Sequence, residues 1–71
     1  MTKQEFIKLS IEFIESKDYL SLKKGSDFYN NVIVKAKESG LDKDYFGVTF
    51  MEQVISFRET PENYRELLES F

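Results

Sequence analysis

The run Asp42-Lys43-Asp44-Tyr45-Phe46-Gly47 opens like a calcium loop, with carboxylates at loop positions one and three and glycine at six. The resemblance stops there. Position five is Phe46, which has no oxygen to offer, and position twelve is Gln53 where the ion requires a bidentate glutamate. The other acidic spacings are Glu12 with Glu15, and Glu62 with Glu66 and Glu69. Glutamates three or four apart share a helix face and could hold Mg²⁺ for phosphate chemistry. Both sets fall opposite the apolar arcs of their segments, so solvated helix faces are expected and no metal or other cofactor.

Histidine and cysteine are both absent. Their absence removes the commonest general base, the thiol nucleophile, the Cys-based zinc site and any disulfide. No glycine-rich phosphate loop or G-x-S-x-G elbow is present. Enzymatic activity is therefore not expected, a minimal metal-dependent enzyme remaining only as an alternative. Ala36, Gly40 and Leu41 have the A-x-x-x-G-L spacing of a helix-turn-helix, which makes a nucleic-acid-linked regulator built on a hairpin at 27–52 a second alternative. Its recognition helix would carry Asp42, Asp44 and Glu52 toward phosphates, which disfavours nucleic acid as the partner.

Charge supports that ordering. The net charge is −3, and it gathers late: residues 1–43 hold eight lysines against seven acids, residues 44–71 two arginines against six. Lysine outnumbers arginine eight to two, which points to an AT-rich bacterial or phage genome. The first fifteen residues interleave Lys3, Glu5, Lys8 and Glu12 with apolar positions, unlike the continuous core of a signal peptide. The same charges give that segment an acidic polar face that anionic lipid would repel, so a cytoplasmic protein without membrane attachment is expected.

The elements that must carry these residues are marked by their caps. Thr2 with Glu5 has capping-box spacing and opens a helix to about Ser16, with Phe6, Ile7, Leu9, Ile11, Phe13 and Ile14 on one wide arc. Burying those six is worth on the order of 10 kcal/mol before chain entropy is subtracted. A short helical turn near 19–24 should follow, ended by Gly25 in the left-handed conformation. Ser26 caps a helix at about 27–39 with Phe28, Tyr29, Val32, Ile33 and Ala36 inward and Val34 outward. Thr49 with Glu52 repeats the box and opens a helix at about 49–59, bearing Phe50, Met51, Val54, Ile55 and Phe57. Thr60-Pro61 starts the last, at about 61–70, with Tyr64, Leu67, Leu68 and Phe71 on one face. The whole predicts a single all-α domain over 1–71, a compact four-helix arrangement. At 71 residues only about 60% of the unfolded chain's surface can be buried.

By elimination the expected role is a small protein-interaction module of inhibitor, immunity or adaptor type, with an unidentified protein partner or a second copy of itself. Five large side chains find no place on an inward stripe: Tyr19, Leu20, Val34, Tyr45 and Phe46. Aromatic residues are enriched among interface hot spots, so these five are the candidate partner-binding set. The competing expectation is that they plug the ends of a core too small for four helices to close. The acidic face of Glu62, Glu66 and Glu69 is the next candidate.

Overall fold

Helix formation begins where the capping box places it. In the computed structural model, which describes residues 1–71, the Glu5 amide donates to Thr2 Oγ1 at 3.1 Å and the Thr2 amide to Glu5 Oε1 at 3.4 Å. This starts α1, Lys3–Glu15. A 3-10 turn, Asp18–Leu20, leads to α2, residues 22–38, in which a π turn at Tyr29–Ile33 joins two α-helical stretches, Leu22–Phe28 and Val34–Glu38. Then come α3, Leu41–Asp44; α4, Gly47–Ile55; and α5, Tyr64–Ser70. There is no strand. The all-α architecture is as the sequence predicts, with one more helix and shifted boundaries.

Each shift has a local cause. The 19–24 turn is shorter than expected, and Gly25 does not end it. Ser21 caps α2 by accepting the Lys24 amide at 3.3 Å, and Gly25 lies inside that helix, buried under α4. A Cβ there would stand 3.2 Å from Ile55 Cγ2, so glycine serves a close helix crossing rather than a left-handed cap. Thr49 is not a cap either. Starting α4 at Gly47 puts Val48, Met51 and Val54 on one face, each at most 1% exposed. Pro61 does not open α5, because Asn63 adopts φ 56°, a left-handed state that asparagine tolerates and that breaks the helical run before Tyr64.

The core is one cluster of thirteen buried apolar residues drawn from α1, α2, α4, α5 and the α3–α4 junction. Phe13 stacks on Phe28 with centroids 4.2 Å apart, and Phe6 meets Phe28 at 6.5 Å and Tyr45 at 5.9 Å. The π turn contributes here. Its extra residue re-phases α2 so that Phe28 before it, Val32 and Ile33 within it and Ala36 after it all enter the core. The wide arc of α1 is used on three sides: Phe6, Phe13 and Ile14 are buried, and Ile7, Leu9 and Ile11 pack at the cluster's margin. Between them Ser10 is fully buried with no partner for its hydroxyl.

Candidate functional site

The C-terminal ends of α1, α2 and α4 are built alike. Ser16, Ser39 and Ser56 each occupy the C-cap, and each hydroxyl donates to the carbonyl three residues back, at 3.0, 2.8 and 3.2 Å. The next residue is left-handed in each case: Lys17 at φ 64°, Gly40 at φ 81° and Phe57 at φ 60°. Its amide bonds back to Ile14, Lys37 and Val54 respectively. In α4 the Arg58 amide also donates to the Gln53 carbonyl at 2.9 Å, completing a Schellman motif. Glycine is the ordinary occupant of that position, because a Cβ there crowds the following carbonyl at about 1 kcal/mol or more. Phe57 takes it with a bulky side chain that is 54% exposed.

Phe57 has exposed company. Leu22 is 75% exposed and Leu20 60%. Leu22 is one turn before Gly25, which receives Ile55, and Ile55 is two residues before Phe57. The Asp18–Leu20 turn also packs on α4. Three of the four exposed large hydrophobic residues therefore lie on the segments that flank the Gly25–Ile55 contact between α2 and α4. The seam between α2 and α4 also holds a groove of about 410 Å³, lined by Tyr29, Thr49, Glu52, Gln53, Ile55, Ser56 and Arg58. Lys37 pairs with Glu52 at 3.0 Å and lies 5.6 Å from the centre of the Tyr29 ring, which raises the lysine's pKa and pins α2 to α4 at the groove's far edge.

The five residues expected to bind a partner do not form one surface. Tyr45 is 2% exposed, which overturns its placement outside the core. Its hydroxyl donates to the Leu68 carbonyl at 2.6 Å, its ring covers Gly47, and burial pushes its pKa up to about 12. Tyr19 is half-buried against the core and Val34 is half-buried. Phe46 is exposed but packs edge-on to Phe71 at 5.2 Å, beside Phe50. Only Leu20 belongs to the seam. Leu22, assigned to a short turn, and Phe57, assigned to the core, were missed. The signal available was the repeated serine: Ser56-Phe57 stands in register with Ser39-Gly40, where a helix end is recognisable from its glycine.

The acidic constellations are otherwise engaged or dispersed. Glu15 accepts from the Tyr64 hydroxyl at 2.7 Å and pairs with Arg65, contacts that lower its pKa and fasten α5 to α1. Glu12 and Glu69 flank a shallow groove floored by Ile7 and Ile11. No three potential metal ligands converge. The calcium-like run is split between α3, an extended Tyr45 and the start of α4. Gly40 does make the turn expected of a helix-turn-helix, but the helix after it has only four residues and α4 beyond is buried on its inner face. No helix is long and apolar enough to cross a membrane. No protein-family model, curated protein or solved structure matches this chain.

Proposed function

We propose that this protein is a small interaction module, of inhibitor, immunity or adaptor type and bacterial or phage origin, that binds a protein partner through the α2/α4 seam. The observation that carries this is Phe57. A left-handed backbone at a bulky residue is costly, and such states persist at sites whose geometry is used. Here the strain presents a half-exposed ring where burial gives little in return, and Leu20 and Leu22 are exposed on the segment that precedes Gly25. Tyr29 and Ile55, half-buried on the same seam, extend the contact area, and the groove supplies hydroxyl and amide groups for specificity.

Parallel capture from a lysate of the host tests the seam. Immobilised wild-type protein is compared with Leu22→Ser and Phe57→Gly, both checked for an unchanged helical circular dichroism spectrum. A protein retained by the first and lost by both variants is the expected result. Equal retention by all three would remove the seam from the function.

A further inference from the structure

We propose that the groove between α1 and α5 is a second docking surface, sharing no residue with the α2/α4 seam, and that it takes a basic amphipathic helix of a protein partner. Apolar side chains of that helix rest on Ile7 and Ile11, and a lysine or arginine reaches each of Glu12 and Glu69. The groove is one concavity of about 390 Å³, to which α1 gives Gln4, Ile7, Lys8, Ile11 and Glu12 and α5 gives Glu69. Its walls are fixed in advance. Tyr64 and Arg65 bind Glu15 at one end of α5, and Lys3 Nζ donates to the Phe71 carbonyl at 3.2 Å at the other, so α5 is tied along α1 and little ordering is left for binding.

The floor specifies a helix. Ile7 and Ile11 are half-buried and stand four residues apart on α1, about 6 Å at helical rise. A helix carries its own apolar side chains at that spacing, and an amphipathic helix laid in an apolar groove is recognised through such anchors. The rim specifies the sign. Glu12 and Glu69 stand on the two walls, and neither makes an ion pair within the fold. Glu5 adds a third carboxylate, in the adjoining concavity that it shares with Lys8, Leu9 and Glu12. Among these lining residues three carboxylates face the single ammonium group of Lys8. The same excess disfavours other occupants: a second copy would set carboxylates against carboxylates, and anionic lipid or nucleic acid would meet a field of its own sign.

A displayed library of helical peptides tests this, with isoleucine fixed along one face and the polar positions randomised over Lys, Glu, Gln and Ser. Winners selected on the wild-type protein are expected to be rich in lysine and, titrated by NMR, to shift the amide signals of residues 4–12 and 66–70. Glu12→Lys and Glu69→Lys each weaken them about tenfold or more, whereas Phe57→Gly and Glu38→Lys, an exposed charge on α2, leave the affinity within about twofold. Winners on these residues without a lysine bias overturn the charge assignment. Winners that depend on Phe57 and not on Glu12 overturn the groove and leave the seam standing, and a library from which nothing enriches overturns the groove as well. Sedimentation showing a wild-type dimer that Ile11→Ser dissociates, with its helical circular dichroism unchanged, would show that the groove serves a second copy instead.

Discussion

Tyr45 and Phe57 both sit just outside α4, one before its start and one after its end, and the fold treats them in opposite ways. Tyr45 has an extended backbone that any residue can adopt, and its ring is folded inward over Gly47, against Phe6 and under Leu68. Phe57 has a backbone that few residues tolerate, and its ring is turned outward. The same residue class at two ends of one helix thus divides the labour. The first closes the core, and the second costs stability and leaves its ring exposed. The inward side is also specialised for its ring: a Cβ at Gly47 would stand 2.2 Å from the Tyr45 side chain, so only glycine lets that ring lie down.

The comparison breaks most visibly at Tyr45→Ala. Emptying an aromatic core site costs about 3–5 kcal/mol, a large part of the total stability of a small domain. Urea titration should show the midpoint falling steeply or the fold lost, and a change under about 1 kcal/mol would place Tyr45 back among surface residues. A smaller effect should appear on raising the pH. The folded phenol's pKa of about 12 lies above its ordinary value of 10, so the fold favours the neutral form. The stability this contributes is fully present below pH 10 and is lost as pH rises through about 12. Thermal melts across that window should decline for the wild type and flatten for Tyr45→Phe, which itself loses about 1 kcal/mol at neutral pH by leaving the Leu68 carbonyl unpaired.

The smallest effect has the opposite sign and is the sharpest test of the contrast. Phe57→Gly should raise stability by about 0.5–1 kcal/mol, because glycine adopts the left-handed state freely. Phe57→Ala removes the same ring while keeping the strain, and should be the less stable of the two by about 1 kcal/mol. If Phe57→Gly instead melts well below the wild type, the ring is held by the core and the difference between the two ends of α4 disappears.

The class of fold was legible because its signals are local. The capping box at Thr2 and Glu5 is made within four residues, and the periodic stripes of Phe6, Phe13 and Ile14, or of Phe50, Met51 and Val54, follow from helical geometry alone. The candidate site was largely illegible. Gly25 carries the same sequence signature whether it ends a helix or admits a crossing one, and Ile55, thirty positions away, decides between them. Tyr45 could be a surface anchor until Leu68 supplies a carbonyl for its hydroxyl. Phe57 fits the periodicity of its helix and leaves it only because α4 starts at Gly47 and ends at Ile55. The sequence by itself determined the all-α class and the apolar stripe of each long helix, since those depend on neighbours along the chain. Which aromatic ring is buried and which exposed was settled by the tertiary structure, because burial depends on what other helices bring to the same place.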